Sequence, residues 1–331
     1  MSYVRYVAIV IAFALSASAS FLVDPYTLGL LISIVTYVTL VASWNIISGY
    51  VGYLFLGAAA FYGLGAYVVP LTSTFVNWYL AIPLAGVICF VVAFVIGIPF
   101  LRIRGPYFII ATYAFAALIS NVVLYLEHQI TGTIGRYITI QGPQEIYFAA
   151  LLVAFLAVIV ASSIKDTKFG LGLLSIKGNE DAAAASGVDT TLYKLFAFGV
   201  TALFMGMAGA AVIPRLGYID NTIAFAAGIS FNTLVMGVLG GAGSILGGVA
   251  SAIILSLLFE IFFSSADPFA YLVALGCLLF VAIFFMPGGL GQLFSRFSVR
   301  RSQPKMITPD LGTARTTDLS RETQQQSHVN G

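Results

Sequence analysis

The chain holds few of the residues that do covalent chemistry. Its two histidines, His128 and His328, lie far apart, and no pair of carboxylates recurs at a spacing suited to general acid and base work. No metal site can be assembled from this inventory. Cys89 and Cys277 fall inside apolar runs, where small buried side chains are the simplest reading. The dipeptide Gly-Lys occurs nowhere, so the phosphate-cradling loop that ends in Gly-Lys-Ser/Thr is absent, and ATP is not hydrolysed by that route. Glu260, late in an apolar run, is the one carboxylate at membrane depth, where it reads either as a snorkelling group or as a transport site. What remains is recognition by neutral polar groups. Asn45, Asn121 and Asn232 are candidates to line a path for a solute, and each reads equally as an interhelical hydrogen bond.

The elements that must carry these residues follow from composition. Apolar residues make up 60% of the chain and charged residues 8%, with a mean hydropathy of +1.01, beyond what a soluble core accommodates. The fold class is an all-α integral membrane protein, a polytopic helical bundle. Runs such as 87–98 and 151–162 are apolar on every face, unlike the alternating strands of a membrane barrel. About ten segments reach spanning length, at 6–23, 27–48, 50–71, 79–101, 107–126, 146–164, 194–213, 224–241, 245–264 and 268–286. With the N-terminus inside, only Arg136 and Arg215 of the 15 basic residues fall outside, so the positive-inside rule predicts that both termini are cytoplasmic. Arg5, the apolar run after it and Ala17-Ser18-Ala19-Ser20 also imitate a cleavable secretory signal, a reading that stands beside an uncleaved first helix.

The chain divides into a transmembrane domain at 1–290 and, from 291 to 331, a basic juxtamembrane stretch with a polar tail expected to be disordered. Arg296, Arg300, Arg301 and Lys305 fix topology and touch lipid headgroups. Small residues concentrate at Gly49 to Gly65 and at Gly237 to Gly248, which suits either close helix packing or broken helices along a solute path. A polar segment, 165–191, interrupts the apolar runs near the middle. It contains a short helical stretch with an apolar stripe, and so reads as a docking surface or as a solvated amphipathic connector.

Three stretches carry a resemblance. They are Asn45 to Tyr67 (NIISGYVGYLFLGAAAFYGLGAY), Arg104 to Ala116 (RGPYFIIATYAFA), and the central segment with Asn179, Glu180, Ala182, Ala183, Gly187, Tyr193 and Lys194. Together with Leu239 to Ser244, they resemble the LivM-type permease subunits of branched-chain amino acid ABC importers, from Thr36 to Gly291. The family's S-L-G-H-A-A-F-F-G motif reads Phe55 to Gly63 (FLGAAAFYG) here, without its histidine, and Ile130 to Gly135 matches the T-G-G-x-x-G-I pattern only in part.

The resemblance implies half of a pore in a prokaryotic inner (plasma) membrane. It implies a second homologous permease subunit, two cytoplasmic ATPase subunits that carry the ATP and magnesium, and an extracytoplasmic substrate-binding protein. This chain would bind no cofactor, and no nucleic acid partner is expected. The central segment would be the coupling element. Ser175 to Ser186 is expected as one short helix in an ATPase groove, with Leu173, Leu174 and Ile176 against its surface and Lys177, Asn179, Glu180, Ala183 and Gly187 beside them. Glu180 and Asp181 would meet basic groups or cap a helix start. The substrate path is expected to involve Asn45, Gly57, Tyr62, Asn121, Asn232 and Gly237. Machinery of the same kind serving another small solute such as urea, or an autonomous carrier or channel, are the competing readings.

Overall fold

The computed structural model describes residues 2–263 apart from 21, 22, 104 and 133. The tenth expected span at 268–286, Cys277, the juxtamembrane basic residues and the tail with His328 lie outside the described residues.

The described chain is helical through most of its apolar runs, and its helix starts are written in the sequence. Pro25 opens α2 (Pro25–Trp44), Pro106 opens α5 (Pro106–Thr131) and Pro143 opens α6 (Pro143–Ile164), each at a position whose amide has no helical acceptor. Asn77 caps α4 (Trp78–Phe100) through Tyr79 N, and Asp189 caps α9 (Thr190–Val212) through Leu192 N. α1 (Ser2–Ala19) lies against α6, where Tyr147 donates to Ser16 O at 2.9 Å. α10 (Asn221–Ala224), capped by Asp220, and α11 (Ala227–Gly240) lead to α12 (Ile245–Phe263). Among the described residues six helices are long and apolar enough to cross a membrane.

The third expected span, 50–71, is not one helix. α2 runs on through a π-helical stretch, Asn45–Val51, and stops at Gly52, whose φ of 88° suits glycine. Residues 52–57 are not helical, and α3 (Ala58–Thr72) has only 15 residues, about 22 Å of rise. A non-helical stretch inside an apolar body must find partners for its amides and carbonyls, and side chains supply them. Trp44 Nε1 donates to Phe55 O at 2.9 Å. Ser48 Oγ donates to Tyr53 O at 3.0 Å and accepts from Phe55 N at 3.1 Å. Thr112 accepts from Leu56 N, and Ser230 from Ala59 N. The eighth expected span, 224–241, corresponds to α11, which the short α10 precedes, and 221–240 is one of the six segments long and apolar enough to cross a membrane.

α9 is the centre of the bundle and packs on α2, α3, α4 and α6. Small residues permit this. A Cβ at Gly206 would strike Cys89 of α4, and one at Gly209 would strike the Tyr62 carbonyl of α3. α5 is the least buried of the six long helices.

The two ends of the bundle differ. At one end β1 (Arg136–Tyr137) pairs antiparallel with β2 (Tyr218–Ile219), Arg136 opposite Ile219. This ribbon is held by Glu127, which accepts from Tyr67 OH and from Gly135 N, both at 3.2 Å, and pairs with Arg136 at 3.3 Å. The central polar segment occupies the opposite end, beside Tyr53, Leu101, Gly105 and Gly243.

Candidate functional site

The central segment forms two helices at an angle. The expected single helix over 175–186 is broken at Asn179, whose φ of −159° and ψ of 112° are extended. α7 (Lys168–Gly178) starts on a Thr167 cap that receives Gly170 N, and α8 (Glu180–Ala185) starts on Asn179, whose side chain accepts from Asp181 N and Ala182 N. One side chain thus ends one helix and begins the next, because an asparagine bonds readily to backbone two and three residues ahead. Gly170 lies against the Ile164 carbonyl and Gly172 against the Tyr193 ring, so α7 folds back tightly on the end of α6 and the start of α9.

The apolar stripe of this segment is used within the chain. Leu173, Ile176 and Ala183 are buried and belong to the same core as Trp44, Phe55 and Phe198, and Leu174 is half-buried. The expected contact of Leu173 and Ile176 with an ATPase is therefore corrected, since both side chains are buried within this chain's own core. Exposed on α8 and after it are Asp181, Ala182, Ala184, Ala185, Ser186 and Gly187.

Glu180 faces inward as well. Its Oε1 pairs with Lys194 Nζ at 2.6 Å, and its Oε2 accepts from Tyr53 OH at 2.9 Å. Lys194 also donates to Leu101 O at 3.2 Å and lies 5.2 Å from the centre of the Tyr53 ring. The side chains of Lys194 and Glu180 are 4% and 16% exposed, so a charge that would be costly alone is held by its partner. Lys177 donates to Gly49 O at 2.8 Å, its stem lying over Gly52. Burial lowers its pKa from the usual lysine value, and neighbouring Lys165 adds to the effect. A cleft of about 420 Å³ opens between Gly52–Leu54, Gly105–Pro106, Ile109 and the carboxylates Glu180 and Asp181.

The expected path residues fall into three places. Asn45 is buried, accepts from Gly243 N at 2.9 Å and donates to Val41 O at 3.2 Å, which ties the π-helical stretch to the turn before α12. Gly57 abuts the Phe55 ring and Thr112 O, and Gly237 abuts the Trp44 ring, both in close packing at this end. Asn232 donates to Tyr37 OH at 2.9 Å between α2 and α11, and Tyr62 is half-buried on α3. Asn121 stands apart on the exposed face of α5, where its amide donates to Ala117 O at 2.8 Å. Glu260 accepts from Tyr26 OH at 2.7 Å, at the start of α2. Among the described residues no three His, Cys, Asp or Glu side chains gather as a metal site.

Sequence reasoning missed Lys194 and Tyr53 as partners of Glu180. A lysine four residues into an apolar helix was the available signal for the first, since such a charge needs a partner. Nothing in the order of residues pointed to the second.

A multi-pass helical body with one polar segment seated on a broken helix is the architecture of a membrane transport permease. The model of the family described as branched-chain amino acid transport system / permease component matches residues 26–282, and the chain belongs to that family. It is similar to the high-affinity branched-chain amino acid transport system permease protein LivM of Salmonella typhimurium, 26% identical over 77% of this chain and 67% of that protein. LivM of Escherichia coli is 26% identical over 83% and 72%. Shorter stretches resemble sugar permeases. The galactose/methyl galactoside import permease protein MglC of Escherichia coli is 25% identical over 41% of each chain. No solved structure matches.

Proposed function

We propose that this chain forms one half of the pore of an ATP-driven importer for branched-chain amino acids. It has ten spans with both termini in the cytoplasm, so the end that bears α7 and α8 faces the cytoplasm. A related permease subunit forms the other half. Two ATPase subunits bind the ATP and magnesium and take up the exposed face of α8, and an extracytoplasmic binding protein delivers the substrate to the end that bears the β1–β2 ribbon.

One observation carries this reading. The central polar segment is seated on the 52–57 interruption with its apolar side inward, which leaves a small-residue face, Ala182, Ala184 and Ala185 beside Asp181, turned outward. Small side chains let another backbone approach closely, as a docking helix requires. The exposed face of α5, the least buried of the six long helices, supports a second subunit. The branched-chain substrate is supported by the similarity to LivM over 77% and 83% of this chain, against 41% for the galactoside permease. Glu260, hydrogen-bonded to Tyr26 at a helix end, supports a packing role better than ion coupling.

Reconstitution with candidate ATPases, second subunit and binding protein tests the reading. Leucine uptake that requires ATP and all four components is expected. Uptake by the chain alone, driven by an ion gradient, would contradict it, and uptake of a sugar in place of leucine would overturn the substrate.

A further inference from the structure

Glu180 heads the helix that the proposed function turns toward an ATPase, yet its side chain points the other way. Both carboxylate oxygens are engaged within the chain, Oε1 with Lys194 and Oε2 with Tyr53 OH. Each partner leads to a different element. Lys194 belongs to α9, the central helix of the bundle, and reaches across to Leu101 O at the end of α4. Tyr53 lies in the non-helical 52–57 stretch, and its ring meets Phe108 of α5 edge-on at 5.2 Å. Through one carboxylate α8 is therefore connected to the ends of α4 and α9, to the interruption before α3 and to the start of α5.

The arrangement is one-sided in a telling way. The 52–57 stretch contacts the rest of the bundle through neutral hydrogen bonds and packing, and Tyr53 is the point at which it meets a charge. Lys177, from the end of α7, grips Gly49 O in the π-helical stretch just before it. That stretch is in turn tied to Gly243 through Asn45. A displacement of the α7–α8 pair thus has two polar handles on the broken helix, one on each side of Gly52.

We propose that Glu180 is a positioning residue for coupling, which with Lys194 and Tyr53 transmits movement of α8 to the 52–57 interruption, and is not a contact residue for the ATPase. The inference rests on the importer reading above. Contact with the ATPase belongs to the outward residues of α8, and Glu180 converts their displacement into a shift of the interruption and of α3 behind it.

The test uses the assembled transporter in vesicles and three readouts, ATPase copurification, ATP hydrolysis and leucine uptake. Tyr53→Phe removes one hydroxyl and leaves the Lys194 pair intact. The double variant Glu180→Leu with Lys194→Met replaces the ion pair by apolar groups of similar size, a change that is commonly neutral for stability. Both variants are expected to retain the ATPases and to hydrolyse ATP, while leucine imported per ATP falls, by about tenfold for the double variant, equivalent to about 1.4 kcal/mol. Loss of the ATPases in either variant would make Glu180 or Tyr53 a docking residue and overturn the proposal. Wild-type import per ATP in both would overturn it as well. If the wild-type chain itself recovers no ATPase, the importer reading fails first and is seen to fail independently of these residues.

Discussion

Gly65 in α3 lies so close to Gly206 in α9 that an added Cβ would occupy the space of the Gly206 backbone. Backbone cannot swing aside as a long side chain can, so Gly65→Ala must push two helices apart. Overpacking of this kind costs about 1–3 kcal/mol or more, and the variant is expected to unfold at lower temperature in detergent than wild type. Gly178→Ala, where a Cβ meets open space, serves as the control and should stay within about 0.5 kcal/mol of wild type. Equal melting of the two variants would contradict this account of the packing. The glycine concentrations at 49–65 and 237–248 were legible as sites of close approach, and the structure fills them with close contacts: Gly49 on Gly243, Gly237 on the Trp44 ring, Gly240 on Gly248. Which glycine meets which was not legible, because Gly65 and Gly206 are brought together by the path of α9 and not by any local pattern. The same holds for Glu180, whose charge marked it as important while its partners lay on α9 and in the interruption.

The interruption at 52–57 is the element on which the rest depends. Its residues are as apolar as a span, so hydropathy drew one helix through 50–71, although Gly52 and Gly57 bracket the place where the helix in fact breaks. The break is stable because Trp44, Ser48 and Thr112 satisfy its backbone and Ser230 the first turn of α3, and Thr112 and Ser230 reach it from other helices only by tertiary placement. Ser48 is doubly engaged, donating to Tyr53 O and accepting from Phe55 N. Ser48→Ala leaves a buried amide without its acceptor, a loss of about 1–3 kcal/mol. Faster amide exchange over 53–59 and a lower melting temperature are expected. Unchanged exchange there would mean that the break does not depend on this serine. The polar composition of the central segment was legible, but its two-helix form was not, since Asn179 reads equally as a residue within a helix and as a cap between two.

At the scale of the whole molecule, the helical membrane class followed directly from composition, and the family from motifs spread over most of the chain. The number of spans is the harder quantity. Hydropathy alone draws a span through 50–71, whereas α3 has 15 residues and is not among the six helices long and apolar enough to cross a membrane. The bundle places the β1–β2 ribbon at one end and α7 with α8 at the other, an asymmetry that suits a protein with different partners on its two sides. Buried Leu173 and Ile176 hold the segment to its own bundle, and the outward face of α8 is the part left for another chain. The central claim is that this face meets an ATPase. Photocross-linking from position 184 in vesicles that contain the assembled transporter tests it most directly, with position 137 in the ribbon as the control. The account predicts a covalent adduct between position 184 and an ATPase subunit and none from position 137. An ATPase adduct from 137, or its absence from 184 in a complex that still hydrolyses ATP and imports leucine, would contradict it.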